Sequence, residues 1–93
     1  MRSRTTRRFR RAFSRLPEPV KERARDAYKR FVESPNHPGL RFKCIHTTEP
    51  IYSVRVTKDY RALGLLEDDT IIWFWIGSHA DYDELISPVN DHT

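Results

Sequence analysis

The chain has 93 residues, with 17 Lys+Arg against 13 Asp+Glu, a formal net charge of +4, and 38% apolar residues. That length supports one domain, residues 1–93, because two pieces would each be too small to bury an adequate core. The apolar content is too high for a disordered chain, the longest apolar run, residues 71–77, falls far short of the roughly 20 residues that span a bilayer, and no apolar secretory segment stands near the start.

The average charge conceals a gradient. Residues 1–15 carry seven arginines and no acid, whereas residues 62–93 carry seven acids and no Lys or Arg. The single cysteine, Cys44, permits no internal disulfide and no cysteine-based zinc site, and it fits a reducing cytoplasm. The arginine-rich start has the composition of an organelle transit peptide. Its apolar residues recur at core-like spacing, however, which makes it part of the fold.

In chain order, Phe9, Ala12, Phe13 and Leu16 predict an amphipathic helix over residues 5–16, with the arginines outside. Leu16-Pro17-Glu18-Pro19 stops it, and Pro19 suits the first turn of the next helix, where its missing N–H costs nothing. There Val20, Ala24, Ala27, Tyr28, Phe31 and Val32 mark one face, with Tyr28 and Phe31 assigned to the core, and so short a connection predicts an antiparallel hairpin. Residues 34–39 are a cluster of turn formers. Beyond them the period becomes two, predicting strands near 40–45, 52–57, 60–66 and 70–76. The order ααββββ argues an α+β fold: a four-stranded, largely antiparallel sheet with the helical hairpin on one face and a short C-terminal helix or tail.

If Val54 and Val56 face the helices, Ser53 and Arg55 face the other way. On the last strand, Ile72, Phe74 and Ile76 are assigned to the core, leaving Trp73, Trp75 and His79 towards the open side. No phosphate-cradling glycine loop, nucleophile elbow or His-Glu-x-x-His is present. His37, His46, His79 and His92 do not pair at i, i+4, so no metal and no other cofactor is expected. What remains is a cationic surface flanked by aromatic rings. Arginines offer planar donors to phosphate oxygens, an indole offers a face to a base, and a histidine moves a proton near neutrality. Those are the parts of metal-free RNA cleavage. Each also has a plain structural reading. Arg55 can be a solvated strand residue, Arg61 a partner of Asp59, His79 the cap of a helix starting near Ala80, His37 a turn residue, and His92 a frayed tail. The tryptophans can be core residues, and the first helix's arginines a solvated face or a contact for a polyanion.

Three stretches, Asn36–Lys43, Tyr52–Val56 with Asp59–Leu63, and Ile76–Leu85, resemble the RelE/ParE superfamily of toxins from bacterial type II toxin–antitoxin systems, over about residues 9–86. The resemblance implies the same helical hairpin and twisted antiparallel sheet. RelE-like members are ribosome-dependent mRNA endonucleases, while ParE-like members inhibit DNA gyrase and lack the cleavage residues. A divergent member that only binds antitoxin or DNA is a third reading. By position, the resemblance implies that Arg55 and Arg61 contact the scissile phosphate and His79 transfers a proton. Asp81 and Tyr82 would orient the imidazole or the RNA. Lys43, Arg41, Trp75 and the helical Arg7, Arg8 and Arg11 are the expected RNA contacts. This chain departs from the pattern in having Ser53 and Arg55 where several nucleases have two lysines. No histidine stands on that strand, so His46, at the end of the preceding one, is the candidate base. An acidic segment, residues 80–93, replaces the basic tail of some nucleases. The expected partners are a cognate antitoxin and either the ribosome with mRNA or DNA gyrase, with no membrane.

Overall fold

The computed structural model describes residues 1–86; residues 87–93, with the expected tail residue His92, lie outside the described part. Five strands, β1 (Arg2–Thr5), β2 (Lys43–Cys44), β3 (Ile51–Thr57), β4 (Tyr60–Glu67) and β5 (Thr70–Ser78), form one sheet in the order β1-β5-β4-β3-β2. Helices α1 (Arg7–Ser14) and α2 (Glu18–Glu33) lie against β5 and β3, and α3 (His79–Ile86) follows the last strand. The α+β layering is the expected one, with a fifth strand added. That strand, β1, pairs in parallel with β5. Its sequence, Arg-Ser-Arg-Thr, alternates without an apolar residue, so hydropathy gives it no period-two signal. Thr6 ends it in an extended conformation and its Oγ1 accepts the Phe9 N–H at 3.1 Å, which starts α1 two residues later than the apolar spacing suggests. Among the described residues, no helix is long and apolar enough to cross a membrane.

The strand predicted at 40–45 shrinks to two residues. Pro38–Leu40 form a 3-10 turn, pinned where His37 Nδ1 accepts the Gly39 N–H at 3.0 Å, and Arg41 follows in the left-handed region at φ 50°. Left-handed backbone cannot sit in a ladder, so pairing begins only at Lys43. The β3 and β4 predictions hold, with a turn at Lys58-Asp59 between them.

In β5 the expected parity fails. Leu63 pairs with Trp75 but Gly64 pairs with Trp73, so Phe74 has no partner on β4. This bulge interrupts the alternation. Trp73 and Ile76 therefore both face the helices, each 3% exposed. Trp73 is thus a core residue, not an open-face one. Phe31, 1% exposed, stands at the centre of that core, edge-on to Trp73 at 5.2 Å and to Phe42 at 5.1 Å. Tyr52 stacks on Phe42 at 4.7 Å. Trp73 Nε1 donates to Ser3 Oγ at 3.0 Å, which ties β1 to the core.

On α2, the residues that meet the sheet are Ala24, Ala27 and Phe31. Tyr28 and Val32, assigned to that face, are 43% and 50% exposed instead. Each lies one position, about 100°, round the helix from a buried residue, which turns it off the contact stripe. The opposite sheet face is not bare. Helix α3 contacts β5 and β4 there, and its Tyr82 is 7% exposed.

Gly64 marks the bulge. A Cβ at that position would lie 2.7 Å from Ile71 Cγ1 and 2.8 Å from Trp73 Cε3. Gly64→Ala should therefore lower stability by about 1–3 kcal/mol, the usual cost of overpacking a core. Urea unfolding reads this directly, and a change under about 0.5 kcal/mol would mean that the Trp73 ring moves aside freely.

Candidate active site

Strand register builds the site. Arg55 stands directly opposite Arg61, and Arg61 opposite Gly77, so the two guanidinium groups and a bare backbone position form one row across β3, β4 and β5. Side chains paired across strands share a face, and this row is on the side away from α1 and α2. The adjacent row on that face is Lys43, Ser53, Leu63 and Trp75. A Cβ at Gly77 would lie 2.6 Å from Trp75 Cζ2. The indole therefore lies over Gly77, beside the arginine row.

Arg61 is held from behind. Its Nη1 donates to the carbonyls of Thr57 at 2.8 Å and Tyr60 at 3.0 Å, which fixes the β3–β4 turn and the guanidinium together. No ion pair joins it to Asp59 among the described residues. Burial pushes the Arg61 pKa down from its ordinary value, the Arg55 charge pushes it further, and Arg41 adds to the same effect. Tyr82 and Asp83 act in the opposite sense. Three guanidinium groups and one carboxylate thus share a local field. Arg41 reaches it from the left-handed position that ends the 3-10 turn.

Ser78 Oγ accepts the Asp81 N–H at 3.1 Å and caps α3. His79 is then the first helical residue, not the cap. Its backbone N–H donates to the Asp59 carbonyl at 2.5 Å, bringing the start of α3 beside the β3–β4 turn that anchors Arg61. The His79 ring lies 5.7 Å from the Tyr82 ring, and Tyr82 lies 6.5 Å from Trp75. The imidazole Nδ1 is 3.0 Å from an Asp83 carboxylate oxygen. The i, i+4 spacing of Asp83 from His79 is legible in the sequence, which points to it as an acid near His79 and a partner of the helix dipole, and not as a partner of the imidazole.

The structure therefore brings together Arg55, Arg61, Arg41, His79, Tyr82 and Trp75, with Lys43 one row away. Asp81 is adjacent, but its contact is the helix cap. His46 is elsewhere. Its Nδ1 accepts the N–H groups of Thr48 at 3.2 Å and Glu49 at 3.0 Å, locking the turn before β3. That turn precedes the start of β3, about 15 Å from the arginine row at ~3.3 Å per residue, so His46 is a turn lock away from the site. Arg7, Arg8 and Arg11 are exposed on α1, across the sheet from the row. The expected RNA contacts thus divide between two faces. Among the described residues, no three His, Cys, Asp or Glu side chains group as metal ligands.

Residues 18–84 match the model of the ParE-like toxin domain, and the chain belongs to that family, within the RelE/ParE superfamily of toxins. Its fold is shared with solved toxins. YafQ from E. coli strain BL21(DE3) aligns with TM-score 0.70 and 11% identity, over 88% of this chain and 98% of that one. RelE in the RelB-RelE antitoxin-toxin complex from Methanococcus jannaschii aligns with TM-score 0.68 and 18% identity, over 87% and 95%. The toxin-antitoxin complex RelBE2 from Mycobacterium tuberculosis gives TM-score 0.60 and 22% identity, over 86% and 92%. No curated protein matches the sequence significantly.

Like charges directly opposite one another on neighbouring strands destabilise a sheet. Arg55→Gln should therefore leave thermal stability unchanged or raise it by about 0.2–1 kcal/mol. If the row meets phosphates, the same change should lower the slope of log affinity for a single-stranded polynucleotide against log salt by about 0.7. Thermal denaturation and a salt-titrated binding series check both, and a destabilised variant with unchanged salt slope would assign Arg55 to the fold alone.

Proposed function

We propose that this chain is the toxin of a type II toxin–antitoxin pair and acts as a ribosome-dependent mRNA endonuclease of the RelE type. The convergence of Arg55, Arg61 and His79 on one end of the sheet, beside Trp75, carries this reading. A phosphate between Arg55 and Arg61 has its oxygens met by planar cationic donors. The 2′-oxygen of the preceding ribose bonds to phosphorus as its proton passes to water, and the arginines stabilise the added negative charge. The P–O5′ bond then breaks while His79 gives a proton to the departing 5′-oxygen. The products are a 2′,3′-cyclic phosphate and a 5′-hydroxyl. Trp75 would stack a neighbouring base.

The division of basic residues between two faces suits a protein standing between two segments of RNA. Arg7, Arg8 and Arg11 on α1 would meet ribosomal RNA while the sheet face meets the message. A ribosomal target places this action in the cytoplasm. The partner that restrains the toxin would be an antitoxin, as in the RelB-RelE complex of Methanococcus jannaschii and the E. coli DinJ-YafQ complex. A cavity of about 530 Å³ between α1, α2 and the sheet, lined by Phe9, Phe13, Phe31 and Val56 and edged by Arg25 and Lys29, fits the apolar face of an acidic amphipathic segment.

Primer-extension mapping after induction tests the reading. Wild-type protein should cut translated messages within the reading frame. His79→Ala should reduce cutting by about 10²–10⁴-fold, the usual contribution of a proton-transferring side chain. Growth arrest without cuts, unchanged in His79→Ala and accompanied by loss of gyrase supercoiling, would replace it with the gyrase reading.

A further inference from the structure

Which nitrogen of an imidazole carries the proton it exchanges is set by the hydrogen bond that the other nitrogen makes. His79 and Asp83 are four residues apart in α3 and so share one face of the helix. Asp81, two residues from His79, does not, and its N–H is committed to Ser78 Oγ. His79 Nδ1 and Asp83 Oδ2 are 3.0 Å apart. The Tyr82 ring flanks the imidazole, and the Asp59 carbonyl holds the His79 backbone N–H. Among the described residues, Nε2 makes no hydrogen bond. The two side chains are 43% and 61% exposed, so the pair contributes little stability. Its consequence is orientation.

Resting on the nuclease reading, we propose that Asp83 is a positioning residue for His79, holding Nδ1–H so that Nε2 carries the proton given to the leaving 5′-oxygen. After that transfer the neutral ring keeps its remaining proton on Nδ1, still hydrogen-bonded to the carboxylate. The same carboxylate lies within the field of Arg61, with Arg55, Arg41 and Tyr82 as the other groups acting there. Asp81 and Glu84 are the remaining acids of α3. Asp83 thus has a rival role, that of offsetting the arginine row.

Asp83→Asn separates the two, because an amide accepts from either tautomer's partner or donates to it and no longer imposes one. With purified protein, ribosomes and a defined message, Asp83→Asn should lower kcat by about tenfold or more with KM within twofold, and Asp83→Glu should recover part of the loss. Nitrogen-15 NMR of the neutral His79 ring should show the Nδ1–H tautomer in the wild type and a mixture in Asp83→Asn. A charge-offsetting role would instead change KM and leave the tautomer alone, and that result overturns the proposal. An unaltered tautomer with kcat within twofold overturns it as well. Failure of the nuclease reading is distinguished by the wild-type protein, which would then leave the message uncut in the presence of ribosomes, while the NMR measurement still decides whether Asp83 sets the ring.

Discussion

The register break in β5 is the constraint on which both faces of the sheet depend. With Phe74 left without a partner on β4, Trp73 and Ile76 face the helices while Trp75 faces the other way. Without the bulge, strict alternation would put Trp73 and Trp75 on the same side, and either the core would lose its indole or the open face would lose its own. Each tryptophan then imposes a glycine. Gly64 clears the Trp73 ring on the helix side, and Gly77 clears the Trp75 ring beside Arg61. Core packing and site geometry are therefore coupled through a single extra residue.

That coupling explains what sequence reading recovered. On β3 the alternation of Val54 and Val56 with Ser53 and Arg55 has only one solution that buries the valines, and the Arg55 face follows from it. On β5 residues 71–76 are all apolar, so either parity buries an apolar set and hydropathy cannot choose. The two glycines were the available clue, since in a strand an isolated glycine signals a bulge or a close approach. Strand β1 was hidden for the converse reason. Its pairing rests on backbone bonds such as Arg2 N–H to the Asp69 carbonyl, and only Ser3, through Trp73, touches the core indole by a side-chain hydrogen bond. A histidine at a strand end, like His46, looks available in sequence because nothing there shows the N–H groups of Thr48 and Glu49 that converge on its Nδ1.

The site itself departs from what a fold alone would favour. Arg55 and Arg61 face each other across a strand pair, and Arg41 adds a third charge from a backbone conformation that a non-glycine residue adopts only at some cost. Carbonyl groups of the β3–β4 turn hold Arg61 in place regardless of that repulsion. Burial and the Arg55 charge both push the Arg61 pKa down, and an anion near the row would act in the opposite sense.

The linear charge gradient takes on a different meaning in three dimensions. The acids of α3 do not stand apart from the bases, because α3 folds back against β4 and β5 and sets Asp83 within the field of Arg61. Acids in its first turns also suit the positive end of the helix dipole. Asp83 therefore moderates the arginine row and limits its attraction for a polyanion, while α1 carries exposed arginines and no acid of its own. Under the proposed nuclease reading, affinity and chemistry are divided between the two sides of the sheet. A chain built this way would draw its long-range, salt-sensitive attraction from α1 and leave the sheet face to discriminate by geometry, through the spacing between two guanidinium groups, an indole and an oriented imidazole.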